Sequence, residues 1–189
     1  MKKSILLTLN RLMMTVIVAM SLFSTNSMAN SGTLIENQTD LETVSGHFKD
    51  VGQAKFRVLF FNIYQSRLAS ESGEFDKQTA YVFEITYLRD ITQSDLIERT
   101  IEQWQHLGID ERQYQAYLPK LQALWPNIKK GDQLALFVEN NQAQFFYNQA
   151  FIGEVNNGTF ADDFLAIWLS EKTSQPKLRQ QLLGMHSNG

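Results

Sequence analysis

The sequence contains no cysteine, which excludes disulfides, thiolate metal sites, a cysteine nucleophile and a lipid-modified amino-terminal cysteine. Its three histidines, at 47, 106 and 186, are not spaced as ligand pairs, and no Asp-x-Asp-x-Asp loop is present. Zinc and calcium centres therefore have no basis in the chain. Glycine-rich phosphate loops and nucleophile-elbow glycines are also missing, so no cofactor is expected. There is no run of basic residues. Nor does any apolar stretch reach the roughly 20 residues that span a bilayer.

What the chain does have is aromatic mass, with 13 Phe, 6 Tyr and 3 Trp in 189 residues. The first 29 residues are read apart from the rest. Lys2, Lys3 and Arg11 precede an uncharged apolar segment, Leu12 to Phe23, and Ser27-Met28-Ala29 forms a small-x-small end. This is the pattern of a secretory signal peptide, with cleavage after Ala29 and a periplasmic or secreted product. Residues 30–189 are then one domain with a sizeable core. The leader carries three of the 17 Lys and Arg and none of the 20 Asp and Glu, leaving 14 cations against 20 carboxylates, a net charge of −6. So acidic a domain is a poor partner for nucleic acid or an anionic membrane, and no stable membrane anchor is expected.

Residues 54–66 form the strongest strand pattern, with Phe56, Val58 and Phe60 on one face and Leu59, Phe61 and Ile63 on the other. Asn62 and Tyr64 continue the first face with polar groups, as at a cleft edge. A shorter strand is expected near 39–44, and Val51-Gly52 reads as a turn. Tyr81 to Arg89 is the next strand, its Tyr81, Phe83, Ile85, Tyr87 and Arg89 sharing one face. Thr92 and Asp95 make a capping box for a helix through His106, closed by Gly108. Asp110 caps a further helical stretch to Trp125, which Pro119 kinks or restarts and Pro126 stops. The segment 131–184 reads as a strand meander turning at Asn140-Asn141. A helix follows, capped by Thr159 and Asp162, with Phe160, Phe164, Ile167 and Trp168 along one side. The fold class is α+β, an antiparallel sheet with helices on one face.

Arg89 is the candidate for charged chemistry. It stands where an apolar strand face runs into Tyr87, either pairing with Asp90 or Asp95 or binding a carboxylate at the mouth of an apolar cleft. Tyr87, Tyr64, Asn62 and the loop residue His47 are the accompanying polar candidates. No catalytic residue is assigned.

Taken in order, Phe61-Asn62-Ile63-Tyr64, Tyr87-Leu88-Arg89-Asp90-Ile91, Ile128-Lys129-Lys130-Gly131-Asp132, Phe164 to Leu169 and Leu182-Leu183-Gly184 resemble the chalcone isomerase-like proteins, most closely a bacterial exported branch. The resemblance implies an open-faced β-sandwich with an apolar cleft between sheet and helices. It also implies one of two activities: closure of a flavanone ring, or fatty-acid binding with the carboxylate held by an Arg and a Tyr. Both activities use an Arg ahead of the first long strand and a hydroxyl residue five positions before that strand's terminal Tyr. In this chain those positions fall near His47, with Lys49 close by, and at Leu59. Neither carries the required group, and the usual turn glycine after Asn148 is Gln149. The expectation is therefore a non-catalytic binder of a small apolar or amphiphilic ligand such as a fatty acid. An isomerase or intramolecular lyase, and a structural or protein-interaction module, are the alternatives.

Overall fold

The computed structural model describes residues 39–185, all within the compact unit Ile35–Gly189. The expected signal peptide lies outside the described residues. Six strands form one antiparallel sheet in sequence order: β1 (Lys49–Val58), β2 (Phe61–Ser70), β3 (Tyr81–Tyr87), β4 (Gln133–Glu139), β5 (Gln142–Tyr147) and β6 (Ala150–Val155). Every strand pairs with its neighbour in the chain. The α+β, open-faced arrangement read from the sequence is the one observed.

The strand expected over 54–66 is a hairpin instead. The chain reverses at Leu59-Phe60, where Leu59 adopts φ 53°. A leucine seldom takes the left-handed region, and no Gly, Asn or Pro marks the turn, so an unbroken apolar run concealed it. A second irregularity follows. Phe56 pairs with Tyr64 but Arg57 pairs with Asn62, which leaves Ile63 as an extra residue on β2. Such a bulge flips the alternation beyond it. Asn62 therefore shares a face with Arg57 and not with Tyr64.

Helices supply the rest of the core. Thr92 caps α2 (Gln93–Leu107) through a bond from the Asp95 amide at 3.1 Å, and Gly108 ends it at φ 74°. The stretch after Asp110 breaks into α3 (Glu111–Gln115) and α4 (Leu118–Leu124), with Pro119 in the first turn of α4. At α5 (Phe160–Leu169) the expected capping box does not form. The Thr159 hydroxyl is held by Asn157 Oδ1 at 3.1 Å and the Tyr117 hydroxyl at 2.8 Å. The strand expected near 39–44 is the short helix α1 (Leu41–Ser45), capped by Asp40. Gly52 lies inside β1, where α6 (Pro176–Leu182) packs so closely that a Cβ would stand 2.2 Å from the Gln181 carbonyl oxygen.

The sheet's two faces differ. One carries the main core, in which Phe83, Phe145, Phe160, Phe164, Trp125 and Trp168 interlock between the strands and helices α2, α4 and α5. The other carries a smaller cluster of Leu41, Phe48, Val82, Phe137 and Phe146 under α1. Beside that cluster Arg67 bridges Asp50 and Glu84, each at 2.5 Å, and Gln133 donates to the second Glu84 oxygen at 2.6 Å. These bonds satisfy charges that the half-covered face would otherwise strand.

Candidate functional site

A cavity of about 190 Å³ lies between the main face of the sheet and helices α2 and α5. One enclosed water needs only about 15 Å³, and about 150 Å³ of apolar space suffices for a benzene-sized guest, so this is a chamber and not a packing flaw. Phe83, Ile85, Leu134, Leu136, Phe145, Phe164 and Ile167 make most of its wall. The alternation of β3 puts Phe83, Ile85 and Tyr87 on that wall together. The bulge at Ile63 explains why Ile63 and Tyr64, adjacent in sequence, both line it.

Polar groups on the wall are few, and several have unused capacity. Tyr64 is stacked on Phe56 at 5.1 Å and accepts a hydrogen bond from Trp168 Nε1 at 2.9 Å. Its own proton has no acceptor among the described residues. Burial pushes its pKa up to about 12, the Trp168 bond opposing only in part, so the group stays a neutral donor at physiological pH. Tyr87, across the β2–β3 pair from Tyr64, is 5% exposed, and its hydroxyl finds no protein partner among the described residues. Burial raises its pKa as well, with the neighbouring Tyr64 adding to the shift. Trp125 has a buried Nε1 with no partner among the described residues. Such groups are rare in folded proteins, because each costs its desolvation.

The rim is charged. Asp95, Arg99, Gln103, Ser174 and Gln175 border the cavity from α2 and the segment before α6. Arg99 bonds Glu102 at 2.6 Å, but its side chain is 72% exposed. A solvent-exposed pair of that kind contributes little and is readily exchanged for another anion.

Of the residues singled out from the sequence, Tyr87 and Tyr64 come together on the wall. Arg89, Asn62 and His47 do not reach it. Arg89 is exposed and makes no ion pair with Asp90 or Asp95; Asp90 instead bonds Lys129 Nζ at 3.2 Å and the Lys130 amide at 2.9 Å. The strand face that should have carried Arg89 inward ends at Tyr87, because β3 stops there. Asn62 is turned away by the bulge. His47, 4.0 Å from Glu71, precedes β1, roughly 30 Å of strand from the Leu59 turn at about 3.3 Å per residue. Leu59 is 84% exposed on that turn, so the position expected for a catalytic hydroxyl lies outside the chamber. Sequence reasoning missed Arg99. Its signal was Leu96, Arg99, Thr100 and Gln103 at helical spacing on one side of α2.

Fold and chamber together define an antiparallel sheet that holds an apolar pocket under a helical cover. The chain belongs to the chalcone isomerase-like family, which residues 53–184 match. It is 24% identical over 139 residues to an uncharacterized protein of Haemophilus influenzae, covering 73% of this chain and 69% of that one. A crystal structure of a fatty-acid binding protein from Arabidopsis thaliana shares the fold with a TM-score of 0.57 at 9% identity, over 74% of this chain and 88% of that chain.

Proposed function

We propose that the protein is an exported binder of a mainly apolar ligand with a hydrogen-bond-accepting head, of which an alkanoic acid is the simplest case. The observation that carries this reading is the set of unspent donors on the Tyr64, Tyr87 and Trp125 side chains within an otherwise apolar chamber. A carboxylate or carbonyl is the group such donors recognise. The Arg99 guanidinium at the rim adds a cation that a carboxylate can draw from Glu102. The Arabidopsis protein with the same fold is a fatty-acid binding protein, which supports the same ligand class.

Protein recovered from the periplasmic fraction, its amino terminus read by intact mass, should begin at Asn30. After delipidation it should bind members of a series from octanoic to palmitic acid in calorimetry. Tyr87→Phe removes a hydroxyl that bonds no described residue, so stability should hold while affinity falls about fivefold, the equivalent of one hydrogen bond of about 1 kcal/mol. Arg99→Ala should weaken binding and Arg89→Ala should not. No uptake of any acid at micromolar concentration, or a Tyr87→Phe variant that binds as the parent does, would overturn the assignment.

A further inference from the structure

The β1–β2 hairpin ends in an apolar tip that faces solvent. Val58 is 47% exposed, Leu59 84%, Phe60 91% and Phe61 64%, whereas the other large apolar groups among the described residues, Phe151 and Met185 excepted, are buried or half-buried. Four consecutive exposed apolar residues on a turn are a standing liability unless something covers them. The antiparallel topology brings three loops to the same end of the sheet: the hairpin turn, the exit of β3 and the entry to β4. Those segments carry Lys55, Arg57, Arg89, Lys129 and Lys130, every one of them exposed.

The nearby carboxylates are Asp90, Asp95 and Asp132. Asp90 is held by Lys129 and the Lys130 amide, and Asp132 accepts from the Lys129 amide, Tyr147 and Asn148. Those carboxylates keep their charge, but five cations against three carboxylates leave this end at a net +2 around the apolar protrusion of a domain that is acidic as a whole. No basic run appears in the sequence because the cations come from three separate segments that the sheet gathers.

We propose that this tip docks reversibly on an anionic lipid surface, with Leu59, Phe60 and Phe61 in the interface and the basic ring against the headgroups. Two arguments favour lipid over a protein partner. A stable protein interface buries about 800 Å² on each side with matched shape, far more than one narrow convex turn presents. A bilayer demands no matching shape, and apolar residues flanked by Lys and Arg are the composition that lodges at its surface. The docking does not depend on what the chamber holds. Phe56 and Ile63, which flank the tip on its two strands, also line the chamber, so the tip stands next to the cavity wall.

The full chain, as purified, is sedimented with vesicles of phosphatidylglycerol and phosphatidylethanolamine, and with vesicles of phosphatidylcholine alone. We expect uptake by the anionic vesicles that weakens with added salt. It should drop about fivefold or more in Phe60→Ser and in the pair Lys55→Glu, Arg57→Glu. Phe60→Ser alters a side chain that is 91% exposed, so its melting temperature should match the parent's. The parent and variant share whatever precedes residue 39, so any contribution from that segment cancels in the comparison.

A direct readout is Phe60→Trp. The native Trp104, Trp125 and Trp168 are all buried, at 0%, 3% and 8% exposure, so the added emission stands out in the difference spectrum. It should shift to the blue on anionic vesicles and be quenched by brominated lipid. Equal uptake of parent and Phe60→Ser, or an added emission in Phe60→Trp that brominated lipid leaves untouched, overturns the proposal. The second result is what a tip covered by the segment ahead of residue 39, by a second copy or by a protein partner would give.

Discussion

Tyr64 can do two jobs with one hydroxyl: its oxygen satisfies Trp168 Nε1, and its proton remains available at the wall of the chamber. Tyr64→Phe should therefore cost more stability than Tyr87→Phe. It strands the Trp168 donor at a cost of about 1–3 kcal/mol, whereas Tyr87 leaves no described partner behind. The same residue contributes to an alkaline limit, as does Tyr87, whose pKa burial also raises. The folded Tyr64 pKa of about 12 lies above the unfolded value of about 10, so the native state favours the protonated phenol. Stability should be flat below about pH 10 and fall as pH rises toward 12, because the unfolded chain ionises first. Melts of parent and Tyr64→Phe at matched pH should show the variant losing less over that window, and parallel curves would refute the coupling. Tyr87 was legible from the sequence because the alternation of β3 put it on one face with Phe83 and Ile85, whereas Tyr64 reaches the same wall through a reversal and a bulge that alternation did not show. Arg89 was not placed correctly by the same logic, since alternation says nothing about where a strand ends. Arg99 was overlooked because an Arg on a helix that also bears Glu98 and Glu102 looks like ordinary surface.

At the level of elements, α2 and the break before α4 were the most readable, because Thr92, Gly108, Pro119 and Pro126 each act locally. The meander of β4, β5 and β6 was readable for the same reason. Asn140 and Asn141 take φ 50° and 66°, and Asn148 with Gln149 takes 48° and 76°, so a turn survives without the expected glycine. Two features were not readable: the reversal at Leu59, which no Gly, Asn or Pro marks, and the role of Gly52, which depends on a helix distant in sequence. Gly52 looked like a turn, but it is a strand position kept bare so that the α6 backbone can lie against β1. Gly52→Ala would place a methyl 2.2 Å from the Gln181 carbonyl oxygen and 2.6 Å from that of Leu182. Neither atom belongs to a side chain that could swing aside. The expected cost is about 1–3 kcal/mol of overpacking, a fall of roughly 2–4 °C in Tm for each kcal/mol. An unchanged Tm would mean that α6 moves off the strand freely.

For the whole molecule, the fold class followed from strands, helices, strands and helices alternating in blocks, whereas the apolar cleft came as what the chalcone isomerase-like resemblance implied, since aromatic excess alone fits a filled core equally well. The strictly sequential strand order carries a kinetic implication. Within β1–β3 and within β4–β6 every pairing is closed by a short connection. The β3–β4 seam alone must wait for residues 88–132 to be spanned. Closing that longer loop costs about 3 kcal/mol more entropy than a two-residue turn. The sheet should therefore assemble as two local halves that zip together last along β3 and β4. Pulse-labelled hydrogen exchange during refolding should find amides bonded across β1–β2 and β4–β5 protected before those across β3–β4. Simultaneous protection would refute that order. Since the chamber is walled by Phe83 and Ile85 from one half and by Leu134, Leu136 and Phe145 from the other, it does not exist until that last step, and a guest that fits it would act on the final closure rather than on either half.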